Sequence, residues 1–388
     1  MNTVSRVIRN TGFLYMKMGV TMFISLYATR LVLNALGVDD FGIFNMVAGV
    51  IAMLAFLNAS MAAATQRFMS YAEGEGDPEK QKIVFNISVV LHLAIAVMVG
   101  ILLYAAAPIL FGHVLNIPED RVFAARCVYW AMIASTVFGI LGVPCEAVLN
   151  AHENMLYFAV IGVLESFLKL GAALLVVHVL ADKLVLYGVL MAGISILAMT
   201  AMLVYCRRNY AECVIAPRRY WKRGVFREMG SFAGWNFTVS ASSMLSEYGV
   251  GIVLNHFFGV ALNAAQAVAQ QINGQTMAFS GTMLKALNPV ISKSEGAGNR
   301  GLMLRASLSG CKFAYLLMAV FAIPLILEAP GLLGLWLHSV PAWAVLFCRL
   351  QLARTLLEQL FLSLGSAIYA EGNIRLYTLV KTGSGILF

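Results

Sequence analysis

The chain has 388 residues, of which 60% are hydrophobic and 12% charged, with a mean hydropathy of +0.81 and a formal net charge of +8. A soluble globule carries about 25% charged residues, so this chain has too few polar side chains to cover a surface in water. It reads as a bundle of membrane-spanning helices, each needing about 20 apolar residues, and its positive balance points to anionic partners, membrane lipids among them.

The first apolar segment, 11–36, follows Arg6 and Arg9 as a signal sequence would. It is too long for a signal h-region and no small-residue cleavage site follows, so it is a span. Further spans fall near 42–65, 83–111, 122–149, 157–180, 184–206, 229–256, 263–284, 307–328, 342–369 and 376–388. The runs are long and do not alternate, which predicts helices rather than strands. A tight acidic turn, Val38-Asp39-Asp40-Phe41-Gly42, separates the first two. With the N-terminus inside, the inner loops hold 17 Lys and Arg residues and the outer loops only Arg121 and Lys183. That bias predicts a cytoplasmic N-terminus. The six cysteines show neither metal spacing nor a disulfide framework.

The stretch from Leu31 to Asp77 returns in diverged form near Ile252–Asn299. Gly37-Val38 reappears as Gly259-Val260, and Ser70-x-x-Glu73-Gly74-x-Gly76 as Ser292-x-x-Glu295-Gly296-x-Gly298, both at an offset of 222. A fixed long-range period signals duplicated architecture. Six spans separate the two copies, so both enter the membrane in the same direction. The expectation is a parallel repeat about an axis along the membrane normal. The fold class is therefore an all-α polytopic membrane protein of two six-helix lobes, with about 11 spans visible. Residues 1–206 form the N-terminal lobe, 207–228 a basic cytoplasmic linker lying on anionic lipid, and 229–388 a C-terminal lobe lacking its closing span.

No phosphate loop, zinc spacing or nucleophile elbow is present, and the basic loops lack the interleaved aromatics of a nucleic-acid surface. The informative residues are ionisable groups inside spans, which are expensive there and by default face an interior or a cavity. Glu165 with Lys169 and Arg354 with Glu358 have the i, i+4 spacing of helical ion pairs. With those set aside, Lys17, Arg30, Arg126, Lys312 and Arg349 leave a basic surplus. A surplus of that sign solvates an anion, and a phosphate above all, because Arg offers a planar fork and Lys a point charge. Arg67, at the inner end of the second span, is either a topology anchor or a substrate contact. Glu247, deep in the seventh span, either pairs with an Arg across the cavity or carries a coupling proton or sodium ion. Gln266, Gln270, Gln271, Asn273 and Gln275 give the eighth span a polar run that must face water or protein.

The run Leu36-Gly37-Val38-Asp39-Asp40-Phe41-Gly42-Ile43-Phe44-Asn45, followed by Ala64-Thr65-Gln66-Arg67-Phe68, resembles the bacterial polysaccharide-biosynthesis flippases. These are the oligosaccharidyl-lipid branch of the multidrug/oligosaccharidyl-lipid/polysaccharide exporter superfamily. The resemblance implies a membrane transporter rather than an enzyme, with two lobes around a cationic cavity and alternating access. The implied substrate is a polyprenyl-pyrophosphate-linked oligosaccharide, moved across the bacterial inner membrane for surface polysaccharide or lipopolysaccharide O-antigen synthesis. Lys17, Arg30, Arg67, Arg126, Lys312 and Arg349 are its expected pyrophosphate contacts. Glycosyltransferases and a polymerase of the same pathway are expected partners, and no cofactor is expected beyond a coupling ion. A multidrug–cation antiporter on the same scaffold is the alternative reading, and Glu247 its acidic candidate.

Overall fold

The computed structural model describes residues 3–387 apart from 53, 116, 180, 181, 259, 338 and 339. The side chains of 3, 4, 38, 55, 56, 113, 114, 247, 248, 251, 252, 254–256, 258, 260, 261, 263, 264 and 384–387 also lie outside the description. Among the described residues the secondary structure is helical throughout, as long apolar runs in a membrane require.

Helix α1 (Thr3–Ala52) holds the first predicted span and the start of the second, and is broken at Gly37, whose φ of 81° is open to glycine but costly for other residues. The acidic turn expected over residues 38–42 is helical instead, so this one glycine carries the whole break. Helix α2 (Ala55–Glu75) follows, and its bend of 52° relative to Asp39–Ala52 divides the second predicted span. Helix α2 also runs on through the polar exit, ten residues past the predicted end at 65. Helices α3 (Pro78–Ile109), α4 (Val122–Ala151), α5 (Met155–His178) and α6 (Lys183–Asn209) match the next four predicted spans.

After the linker come α7 (Arg223–Phe258), α8 (Val260–Gly296), α9 (Arg300–Leu327), α10 (Ala329–Trp336), α11 (Ala344–Gln359), α12 (Leu362–Glu371) and α13 (Arg375–Leu387). The predicted span 342–369 is thus two helices. The chain turns at Leu360 and Phe361, whose amides donate to the carbonyls of Leu357 and Glu358 three residues back. Helix α12 stops at Gly372, left-handed at φ 97°, a common helix terminator. Among the described residues six helices are long and apolar enough to cross a membrane, or seven if the bent pair counts as one.

The polar exit is built twice. Gly76 and Gly298 both turn the chain at positive φ, 69° and 71°. The next residue then caps a helix, Asp77 accepting from the amides of Glu79 and Lys80, and Asn299 from that of Leu302. The two turns keep the offset of 222, since 298 − 76 and 299 − 77 agree.

The chain divides into two compact units. The N-terminal unit comprises 12–73 and 77–233, and the C-terminal unit 1–11, 74–76 and 234–388. In the N-terminal unit, Val99, Val128, Tyr129 and Leu184 sit in a core shared by α3, α4 and α6. Helices α4 and α6 approach closely at Gly188, where an added Cβ would lie 2.8 Å from the Val128 side chain. Small residues at such crossings are how membrane helices gain contact without a hydrophobic drive between them. In the C-terminal unit, Ala269, Met318, Ala322, Cys348 and Leu352 make the corresponding core of α8, α9 and α11.

Candidate functional site

The ionisable side chains within the helices fall into three groups. The first consists of internal pairs. Lys169 Nζ lies 2.7 Å from Glu165 Oε1, and Arg354 Nε donates to Glu358 Oε1 at 2.8 Å, one turn apart in each case. The second consists of cations tied to other groups. Arg349 donates to the carbonyls of Ile326 (2.9 Å) and Leu327 (3.4 Å), closing the last turn of α9. Lys17 places its ammonium 3.8 Å from the ring centroid of Phe158 on α5. Its stem crosses Gly162, where an added Cβ would be 2.2 Å from Lys17 Cε. Arg67, only 8% exposed, faces the rings of Phe68, Tyr71 and Phe232 at 4.4, 5.1 and 5.4 Å, with Glu228 at 3.9 Å.

The third group is exposed. Arg126 lies 5.6 Å from the Phe111 ring, Arg30 and Lys312 are exposed, and none of the three forms an ion pair among the described residues. Lys17, Arg30, Arg67 and Arg126 belong to the N-terminal unit, and Lys312 and Arg349 to the C-terminal unit. Lys17 and Arg30 share the unbroken part of α1, 13 residues or about 20 Å apart along its axis. The side chain of Glu247 lies outside the described residues. Of the polar run on α8, Gln271 and Gln275 line an open groove of about 460 Å³ in the C-terminal unit, with Phe279, Phe321 and Trp336 as its aromatic wall.

Three long-range networks escaped the sequence reading. At one end of the N-terminal unit, Arg121 makes a two-pronged contact with Asp40, through Nε at 2.8 Å and Nη2 at 2.5 Å. It reaches Asp182 at 2.8 Å through Nη1. Asp182 also caps α6 through the amides of Leu184 and Val185. Burial alone would raise the Asp182 pKa, and the Arg121 hydrogen bond and the α6 amides more than reverse this and hold it low.

At the other end, His152 in the α4–α5 turn stands between two carboxylates. Its Nε2 is 2.5 Å from Glu212 Oε1 and its Nδ1 3.4 Å from Glu73 Oε1. Gln81 donates to Glu73 at 2.8 Å, and the Tyr210 ring stacks on the imidazole at 4.4 Å. Burial opposes the charge on His152, but the bonds to Glu212 and Glu73 outweigh it and raise the pKa to about 9. The imidazolium therefore joins the end of α2, the α4–α5 turn and the linker. The C-terminal unit repeats the motif with another cation, Arg300, 3.6 Å from Glu295 and 3.0 Å from Glu371. Glu73 and Glu295 are the matched glutamates of the repeated exit, which was the one sequence signal for these networks.

The third network fixes the linker itself. Asn86 on α3 donates to the Val214 carbonyl at 2.8 Å and accepts from the Ala216 amide at 2.7 Å.

The profile of the polysaccharide biosynthesis protein family matches residues 7–295. The comparison with curated proteins gave no match. Among solved structures, a mutant MATE transporter superposes with a TM-score of 0.83 at 16% identity, covering 97% of this chain and 84% of the other. A mutant of the Vibrio cholerae MATE transporter VcmN gives 0.79 at 18% identity, covering 99% and 86%. A MOP superfamily transporter from Pyrococcus furiosus, described as having a binding pocket of reversed polarity, gives 0.70 at 14%, covering 98% and 94%. At these identities the likeness shows a shared fold, that of a multi-pass membrane protein. With three quarters of its length matched by the family profile, the chain belongs to the polysaccharide biosynthesis protein family.

Proposed function

We propose that this transporter moves a polyprenyl-pyrophosphate-linked oligosaccharide from the inner to the outer leaflet of the bacterial cytoplasmic membrane, with its N-terminus in the cytoplasm. The observation that carries the reading is the sign of the charge left available inside the helices. Glu165 and Glu358 are held by Lys169 and Arg354, while Arg30, Arg126 and Lys312 form no ion pair among the described residues. Cations stranded at membrane depth are costly and need an anionic ligand to offset that cost. A pyrophosphate supplies several oxyanions to guanidinium forks, whereas a cationic drug would be repelled by the same groups. The MOP transporter from Pyrococcus furiosus has a pocket of reversed polarity linked to a different function, so pocket polarity is a variable on this fold. The sugars need no specific charge, and the polyprenyl tail stays in lipid.

In this reading Lys17 and Arg30 are two stations about 20 Å apart for one moving headgroup, and Arg67 and Arg126 contact it near the ends of the path. Lys312 offers a contact from the C-terminal unit, whereas Arg349 is taken up in closing α9. Glu247 is the proposed carrier of a coupling proton or sodium ion, on its sequence position alone. Alternating access between the units delivers the glycan to the polymerase, with glycosyltransferases supplying it on the inner side.

The test is complementation of a strain lacking its own polysaccharide flippase, with surface polysaccharide as the readout at matched membrane expression. Arg30→Ala and Arg126→Ala are each expected to lower surface polysaccharide at least about tenfold, the loss of one charge-assisted contact of roughly 1.5–3 kcal/mol. Unchanged polysaccharide in both variants removes the assignment. Resistance to cationic drugs conferred by the unmodified chain, without polysaccharide rescue, replaces it with a multidrug antiporter.

A further inference from the structure

The outer stripe of α6 has a chemistry that transport does not use. Gly193, Leu197, Ala201 and Val204 follow one another at helical spacing and line an open groove of about 810 Å³ that ends at Arg208. That volume lies in the range of small-ligand sites, about 300–1,000 Å³. The floor at Gly193 is vacant, because an added Cβ there would meet nothing within 4 Å. The polar atoms along the wall are turned inward. Thr200 donates to the Ile196 carbonyl at 2.7 Å, and Tyr157 donates to the Ala201 carbonyl at 3.3 Å. Below Arg208 and Asn209 the groove therefore shows its occupant mainly hydrocarbon.

Its upper end differs. Tyr157 and Tyr205 stack with ring centroids 3.6 Å apart near the end of the span, the kind of aromatic pair that favours a membrane–water boundary. Beyond them Arg208 is exposed, forms no ion pair among the described residues, and has no carboxylate beside it in the groove lining. The stripe from Gly193 to Arg208 covers 15 residues, or about 22 Å of helix. That exceeds the roughly 15 Å of hydrocarbon in one leaflet. An apolar trough one leaflet deep, with an aromatic shoulder and one unneutralised guanidinium above it, has the layout of an acyl chain below a phosphate.

We propose that the α6 groove is a binding site for one anionic phospholipid, its acyl chain lying along Gly193–Val204 and its phosphate on Arg208. The charge match selects the lipid class, and the vacant glycine position admits the chain. The site lies wholly within the N-terminal unit and is independent of the transported substrate. Bound there, the lipid holds α6 beside the start of the linker that Asn86 clamps.

The experiment titrates the purified full chain, in detergent, with phosphatidylglycerol or phosphatidylcholine of identical acyl chains and follows binding by native mass spectrometry. Phosphatidylglycerol is expected to bind at least about fivefold more tightly than phosphatidylcholine, as one juxtamembrane basic residue supplies. Arg208→Gln should abolish that preference, and Gly193→Leu should weaken both lipids by filling the trough. Arg218→Gln removes an equal charge from the linker, away from the groove, and should leave both affinities within about twofold of the unmodified protein. The proposal is overturned if the two lipids bind alike, or if Arg208→Gln and Arg218→Gln weaken phosphatidylglycerol equally. It also fails if Gly193→Leu, with its melting temperature kept, changes neither lipid.

Discussion

Replacing His152 by Gln tests the clamp that fastens the linker to the N-terminal unit. The imidazolium holds Glu212, whose side chain is 7% exposed, and Glu73, at 18%, while His152 itself is 26% exposed. A pKa raised from 6.5 to about 9 corresponds to about 3 kcal/mol of preference for the charged form at about 1.4 kcal/mol per pH unit. Water at the exposed quarter of the ring screens part of this, leaving roughly 1–2 kcal/mol. The raised pKa means the folded state binds the proton more tightly than the unfolded one. The stabilisation is thus complete below pH 6.5 and is lost as the pH rises through about 9. Thermal unfolding of purified protein at pH 6 and pH 9.5, with and without His152→Gln, reads the effect. The variant should melt a few degrees lower at pH 6, on a scale of about 2–4 °C per kcal/mol, and the gap should close at pH 9.5. A gap of equal size at both pH values refutes the charged clamp, because packing of the ring on Tyr210 does not titrate.

Other substitutions probe separate contacts. Gly162→Ala drives a Cβ into the Lys17 stem; it should lift the ammonium off Phe158 and, on the proposed function, lower surface polysaccharide in the complementation assay severalfold with little change in melting temperature, because the stem is flexible. Arg121→Gln leaves Asp40 and Asp182 without their shared donor and should cost about 1–3 kcal/mol in chemical or thermal unfolding. Arg121→Lys should recover less than half of that, because an ammonium cannot present the same fork to both carboxylates. Gly74→Ala puts a Cβ 2.0 Å from the Lys293 carbonyl oxygen, which is backbone and cannot swing away, so the membrane-inserted yield should fall sharply, as read by fluorescence-detected gel filtration.

How far the sequence reveals the molecule depends on the range of the interaction. Contacts one helical turn apart are legible, as Glu165–Lys169 and Arg354–Glu358 show, because the 3.6-residue repeat places the partners on one face. The repeated exit is legible too, since Gly76 and Gly298 answer a local steric demand that few residues but glycine meet cheaply. Arg121 and His152 are not, because their partners Asp40 and Glu212 lie 81 and 60 residues away and no local rule brings them together. Arg121 therefore reads as an ordinary loop charge and His152 as nothing at all. Arg349 reads as a free cation for a related reason: its partners are backbone carbonyls, which every residue carries and no composition reveals. The break of 342–369 into α11 and α12 is hidden likewise, because no proline or glycine stands at Leu360–Phe361 to announce it.

The two exits share a glutamate but not its cation, and this difference has a physical consequence. Arg300 is ionised at any physiological pH, so the Glu295–Arg300–Glu371 contact in the C-terminal unit responds to salt and hardly to protons. His152 keeps its charge only below about pH 9, so the matching contact in the N-terminal unit responds to both. The Arg300 side chain is also more exposed, at 58% against 26% for His152, so its ion pairs contribute less to holding the fold. A duplicated architecture has thus kept the acid at the end of its second helix in both copies. Only in the N-terminal unit is that acid wired to the linker, through a base that can lose its proton. Once that imidazole loses its proton, the linker stays tied to this unit by contacts that do not need it, the Asn86 clamp and the bond from Asn154 to the Tyr210 hydroxyl among them.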